Sequence, residues 1–307
     1  MARPPEAPPP AATLLPRCTF PAPGTAVTAA VSGGPDSLAL LALASLAGCR
    51  VVAVHVDHGL RPGSAAEADV VRAAARRFGA GFRAERVDVA PGPNLEARAR
   101  SARRRVLPAG TMTGHTADDQ AETVLLNLIR GAGLDGLGGM RRGPAKPLLS
   151  LRRSETRALC DRLGLAVVDD PSNRDLRMRR NRVRHEALPL LDAVAGRDVV
   201  PLVARTAALL GEDAALLGEL AAGLDPADAA ALARAPAPLA RRAVRGWLVL
   251  DAPPYPPDAA TVERVLAVAR GEHRGTEVGG GRRVWRSGGR LGIEHGVELG
   301  VERRGAP

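Results

Sequence analysis

Ser32-Gly33-Gly34-Pro35-Asp36-Ser37 gathers two glycines, two hydroxyls and a carboxylate in one short turn. Glycines let a backbone pass close to a ligand, and successive N–H groups at a helix start can cradle an anion. The serines can donate to phosphate oxygens, and Asp36 can hold a magnesium ion that bridges them. The same residues also suit an ordinary strand-to-helix turn, with Asp36 or Ser37 as N-cap. A second candidate is Gly114-His115-Thr116-Ala117-Asp118-Asp119-Gln120-Ala121-Glu122. At ~100° per residue, His115, Asp119 and Glu122 fall on one stripe of a helix. Ala117, Ala121, Val124, Leu125 and Leu128 fall opposite, a face expected to pack on a sheet while the ionisable stripe looks to solvent or a cleft.

Two further segments carry charge. His55-Val56-Asp57-His58-Gly59-Leu60-Arg61 invites a metal reading, but no further His or Cys stands close in sequence. A turn stabilised by Asp57 at the end of a strand is the stronger reading. Asp169-Asp170-Pro171-Ser172-Asn173 is followed by six arginines between Arg174 and Arg184. Arginine there can pair bidentately with phosphate, although a charge run is more often a solvated face.

The elements that must position these residues alternate. Strands are expected over Val27–Val31, Val51–Val56, Phe82–Val87, Thr111–Thr113 and Leu165–Val168. Helices are expected over Leu38–Leu46, Ala65–Phe78, Asn94–Val106, Ala117–Ile129 and Ser154–Leu163. This alternation predicts an α/β domain with a doubly wound parallel sheet. From about Val199 to Arg270, Ala/Leu/Arg helices dominate, and short strands at Arg283–Trp285 and Leu291–Ile293 close the chain. The expected organisation is a disordered Pro-rich tail over 1–24, a nucleotide-handling domain over 25–192 and a smaller, mainly helical domain over 193–307.

Composition narrows the classes. The 307 residues carry a formal charge of +10, which favours a phosphate-rich partner such as nucleic acid. Lys146 is the only lysine among 43 basic residues and sits before a proline, which removes a Walker-type loop. With aromatics at 2%, stacking platforms for single strands are not expected. Cys18, Cys49 and Cys160 form no CxxC pair, which argues against a zinc ribbon or a disulfide framework and for a reducing cytoplasm. No stretch suits a membrane span or a signal peptide.

Ser-Gly-Gly-x-Asp-Ser after the first strand resembles the PP-loop of the N-type ATP pyrophosphatases, the adenine nucleotide α-hydrolase-like fold. SGGPDS at 32–37, HVDHGLRPGSAAEA at 55–68, GHTADDQAETVLLNLIRGAGLDGLGGM at 114–140, KPLL at 146–149, DDPSN at 169–173 and RNRVRH at 180–185 together resemble the tRNA(Ile)-lysidine synthetases, in their short form. Two departures stand out: Arg104 follows Arg103 where Tyr is usual, and Met178 stands where an aromatic is common.

The resemblance implies a cytoplasmic ligase. ATP adenylates the C2 carbonyl oxygen of the wobble cytidine in the CAU-anticodon tRNA(Ile) and releases pyrophosphate, free L-lysine then attacks C2, and AMP leaves. The product, lysidine, switches the tRNA from methionine to isoleucine specificity. It implies ATP binding by Ser32, Gly33, Gly34, Pro35, Asp36 and Ser37, with Asp36 as the Mg2+ ligand. It implies catalytic roles for Asp36, His115, Asp119, Glu122, Arg182 and Arg184, with Asp119 or Glu122 taking the amine's proton. It implies tRNA contacts by Arg180, Arg241, Arg242 and Arg245, and leaves a homodimer open. The rivals are a tRNA 2-thiocytidine synthetase and a non-catalytic basic RNA-binding protein on the same fold.

Overall fold

A computed structural model describes residues 9–57, 59, 64–88, 92, 95–249 and 257–295. His58, Leu60 and Arg61 of the His-rich turn, Asn94, and residues 1–8 of the expected tail lie outside the described residues. The chain forms two compact units, Met1–Gly211 and Glu212–Pro307.

The first unit begins with α1 (Pro9–Leu14), β1 (Ala26–Ala30), α2 (Pro35–Leu46), β2 (Arg50–Asp57), α3 (Ser64–Arg77), β3 (Gly81–Arg86) and α4 (Leu95–Val106). There follow β4 (Met112–Thr113), α5 (Ala117–Ile129), α6 (Leu134–Leu137), α7 (Arg153–Arg162), α8 (Arg179–Arg182) and α9 (Leu188–Ala195). The division between units falls inside α10 (Val200–Ala222).

The four strands form one parallel sheet in the order β3-β2-β1-β4. Near-continuous apolar runs in β1 and β2 suit strands covered on both faces. Helix α2 is buried all round from Leu38 to Ala44, the pattern of a central helix rather than a surface one. The chain runs outward from β1 through β2 to β3, then returns to β4 on the other side of β1. That reversal opens a crevice beyond the carboxyl ends of β1 and β4, where open α/β sheets bind ligands. Ser32–Ser37 follows β1 and Gly114-His115 follows β4, so the sheet brings both motifs to that crevice.

Three expectations are corrected. Residues 9–24 are not a disordered tail: α1 buries Ala11 and Leu14 in the core of the sheet domain, and Thr19 donates its N–H to the Pro147 carbonyl at 3.1 Å. Leu165–Val168 is not a strand. Leu165 and Val167 pack on the core, but the ladder is replaced by one bond, Val168 N–H to the Gly33 carbonyl at 3.0 Å. The apolar face of α5 packs not on the sheet but on Val183, Leu188, Val199 and Val200, through Ala117 and Ala121, while Leu128 is exposed.

In the second unit, α11 (Ala229–Arg234), α12 (Ala237–Val249) and α13 (Ala259–Arg270) precede an antiparallel sheet of β5 (Gly275–Gly279), β6 (Arg282–Ser287) and β7 (Arg290–His295). Val244, Leu248, Val265, Leu266, Val284 and Leu291 form its core. Among the described residues no helix is long and apolar enough to cross a membrane.

Candidate active site

The turn after β1 is tied by its own hydroxyls. Ser37 Oγ accepts the Ser32 N–H at 3.1 Å and donates to the Gly34 carbonyl at 2.9 Å. Gly33 has φ +91°, and a Cβ there would stand 2.8 Å from Val168 Cγ2, so only glycine fits without strain. Neither Asp36 nor Ser37 is the N-cap of α2; Gly34 holds that position with no side-chain cap. The Asp36 carboxylate is therefore free of capping duty, while the helix start keeps its preference for an anion.

Across the crevice, Gly114 lets two backbones meet. A Cβ on it would lie 2.6 Å from the Asp36 carbonyl oxygen, a contact with main chain that cannot swing aside. Thr116 caps α5, and Asp119 Oδ2 reaches back to accept its N–H at 2.9 Å and its hydroxyl at 3.0 Å. His115 Nδ1 lies 2.7 Å from Thr113 Oγ1.

The acidic stripe faces inward onto arginine. Glu122 is fully buried, and its two oxygens take donors from Arg153 Nη1 (3.1 Å), Arg180 Nε (2.6 Å), and Arg184 Nε and Nη2 (2.6 and 3.2 Å). Asp119 Oδ1 takes Arg153 Nη2 at 2.9 Å and Arg180 Nη2 at 3.1 Å. Arg180 and Arg184 are four apart and reach the same carboxylate across the α8 helix and the π-helical turn Val183–Ala187. Arg153 Nε stands 3.4 Å from Asp36 Oδ2, and the Thr156 hydroxyl donates to Asp36 Oδ1.

Helix α7, which supplies Arg153 and Thr156, is held at its first turn. Glu155 accepts the Arg152 N–H at 2.7 Å, and Arg17 grips the same carboxylate at 2.5 and 3.0 Å. The Asp118 carboxylate accepts the Arg153 N–H at 2.8 Å and pairs with Arg152 at 3.1 Å.

A cavity of about 670 Å³ lies over this ground. Ser32, Gly34, Pro35, Asp36, Ser37, His115, Asp119 and Arg184 line it, joined by Arg153. Gly33 is set back against Val168. Glu122 and Arg180 form the buried ion cluster behind Asp119. Arg182 points elsewhere: its side chain is exposed and pairs with Glu186 at 2.9 Å. Arg241, Arg242 and Arg245 lie on α12 in the second unit, Arg241 pairing with Glu263 at 2.5 Å. The Asp57 turn forms as expected, with Oδ1 accepting the Gly59 N–H at 2.8 Å.

Arg153 and Thr156 were not singled out in the sequence. The only signal was an Arg-Arg pair opening a helix soon after KPLL. Arg103, Arg157, Asp169, Asp170, Asn173 and Arg174 also line the cavity.

Charge states follow from burial and neighbours. Burial raises Asp36, against the lowering pull of Thr156 and Arg153. Burial also pushes Asp119 upward, but Arg153 and Arg180 outweigh it and hold that carboxyl below its usual range. A carboxylate beside the Ser32–Ser37 turn suits magnesium, which takes one or two carboxylates and completes its shell with phosphate and water. Burial drops the His115 imidazole to about 4, so it is neutral at pH 7. The stability tied to neutral His115 is complete above pH 6.5 and is lost as the pH falls through 4, because the unfolded chain binds the proton first. His115→Gln should flatten the pH dependence of urea-unfolding free energy by about 3 kcal/mol over that window. An unchanged slope would show that the imidazole is not buried neutral.

The chain is similar to known proteins over most of its length. Residues 12–191 match the model of the PP-loop domain, and residues 228–291 that of the TilS substrate binding domain. A tRNA(Ile)-lysidine synthase of Nocardia farcinica is 44% identical over 280 residues, covering 85% of this chain and 88% of that protein. One from Mycolicibacterium paratuberculosis is 47% identical over 235 residues, covering 72% of this chain and 73% of that protein. Among solved structures, the U34-tRNA thiolase NcsA from Methanococcus maripaludis superposes with a TM-score of 0.50 at 20% identity, covering 62% of this chain and 73% of that one. That last likeness is one of fold.

Proposed function

The chain belongs to the tRNA(Ile)-lysidine synthase family, and from that premise we propose that its cavity joins ATP, free lysine and the wobble cytidine of the CAU tRNA(Ile). The reaction is ATP-dependent ligation of lysine to C2 of that cytidine through an adenylated intermediate. The observation that carries the residue assignment is the meeting of a phosphate cradle and an acid–arginine cluster in one cavity.

In the first half-reaction the cytidine C2 oxygen attacks the α-phosphorus and pyrophosphate leaves. Ser32, Gly34 and Ser37 hold the phosphates, and Asp36 would hold magnesium. When bound, the ion neutralises charge that builds on the departing pyrophosphate. In the second half-reaction the amine adds at C2 and AMP leaves. A lysine amine with a pKa of ~10.4 arrives protonated and needs a carboxylate to attract it and take the proton. Asp119 lines the cavity and Glu122 does not, so we give that task to Asp119 and give Glu122 the holding of the arginines. His115 and Arg184 surround the adenylated base. Arg182, being exposed, suits the tRNA backbone, and we assign residues 193–307, with Arg241, Arg242 and Arg245, the grip on the tRNA body.

The 2-thiocytidine rival needs reactive sulfur. Burial pushes the Cys18 and Cys160 thiols up to about 12, and among the described residues no three His, Cys, Asp or Glu are grouped to hold a metal. Three free cysteines fit a reducing cytoplasm, where we place the enzyme.

The test separates the half-reactions. With ATP, magnesium and CAU tRNA but no lysine, pyrophosphate appears up to one equivalent of enzyme-bound tRNA. Asp119→Asn keeps that release and raises the lysine KM about 10- to 100-fold, the worth of one charge-assisted hydrogen bond. An unchanged lysine KM would remove Asp119 from the amine's site.

A further inference from the structure

Asp119 is the carboxylate assigned to the lysine amine, yet its hydrogen-bonding capacity is already filled. Thr116 N–H and Oγ occupy Oδ2, and Arg153 and Arg180 occupy Oδ1. A carboxylate offers about four lone-pair sites, so an incoming ammonium must displace a donor. The Thr116 bonds are fixed by the start of α5, and Arg180 is held on Glu122 at 2.6 Å, closer than Arg153 at 3.1 Å on the same carboxylate. Arg153 alone of the four donors also reaches the phosphate side, through Asp36 at 3.4 Å, a weak contact.

We propose that Arg153 gates the amine site: it holds Asp119 closed to lysine until ATP phosphates draw its guanidinium away. The inference rests on the assignment of Asp119 above. A planar guanidinium fits phosphate bidentately, and a triphosphate seated in the Ser32–Ser37 turn offers more negative charge than one shared carboxylate. Arg153 lines the same cavity as that turn, so the exchange needs side-chain rotation and release of its 3.1 Å bond to Glu122. Its consequence is order: lysine binds productively after ATP. Arg153 is thus a positioning residue for lysine, acting through Asp119.

Equilibrium dialysis of labelled lysine against the whole protein tests this, with and without magnesium and α,β-methylene-ATP. In the wild type the analogue should tighten lysine binding about tenfold, within the roughly 5- to 150-fold usual for coupled sites. In Arg153→Met the two affinities should agree within about twofold, because nothing then withholds Asp119. A purely structural role would weaken lysine binding equally in both conditions and keep the wild-type ratio; that result overturns the proposal. If the Met variant fails to show a native melting transition, Arg153→Lys is measured instead. One ammonium cannot span the two sides, so its ratio should fall below half the wild-type value, and an unchanged ratio overturns the proposal. A wild-type ratio near one alongside normal lysine incorporation into tRNA sinks the gate alone. Absence of both binding and incorporation sinks the functional assignment beneath it.

Discussion

Asp36→Ala is expected to lose tRNA-dependent pyrophosphate release by a factor on the order of 10² to 10³, while tRNA affinity stays within a few-fold. The carboxylate stands in the first turn of α2 beside the phosphate cradle, held by Thr156 and near Arg153. Its removal leaves the helix start able to bind phosphate but without the group placed to hold magnesium there. Asp36 is only partly exposed within the cavity, so the charge change should not reach a tRNA surface. A large loss of tRNA binding would refute this role. Unaltered pyrophosphate release would do the same.

Glu122→Ala should cost about 3–5 kcal/mol of stability, the usual penalty for leaving buried charge without its partner. One fully buried carboxylate neutralises the facing parts of Arg153, Arg180 and Arg184, and deleting it leaves three guanidiniums crowded together. For a unit of this size the loss lowers the melting temperature by roughly 6–20 °C. Glu122→Gln keeps the volume and one acceptor oxygen, so it should fall between. Were Glu122 the base for lysine, the Gln variant would lose the lysine step far beyond what its loss of stability accounts for. Calorimetry and labelled-lysine turnover on the same two variants separate the cases.

What was legible in the sequence was local. The Ser32–Ser37 turn and the Gly114–Glu122 segment each carry their signal within a few residues, because glycine, hydroxyl and acid at a strand end suit a phosphate site as well as an ordinary turn. The parallel sheet followed from the alternation of runs. Arg153 and Thr156 were not legible, since they meet Asp36 from 117 and 120 residues away. The inward turn of Glu122 was hidden for a related reason. A helical stripe tells which residues share a face, not what covers that face, and here three arginines cover it.

Two segments depart from their sequence signals for similar reasons. Eight prolines in the first 24 residues suggested disorder, but Ala11 and Leu14 are three apart on a short helix and both enter the core. Leu165–Val168 has the apolar content of a strand; it earns burial by side-chain packing while its backbone meets the sheet domain at Gly33. Arg182 shows the limit of reading arginines by motif. Within Arg180-Asn181-Arg182-Val183-Arg184, helical spacing sends the first and third arginines to Glu122 and the middle one to solvent.

Attachment of lysine to a tRNA base in this cavity is directly measurable. Purified protein with ATP, magnesium, radiolabelled lysine and CAU tRNA(Ile) should place label in the tRNA, released on digestion as a modified nucleoside at the wobble position. Omitting ATP, or changing the wobble cytidine, should abolish the label. No incorporation by protein that still binds the tRNA would contradict the account and favour a basic RNA-binding protein on the same fold.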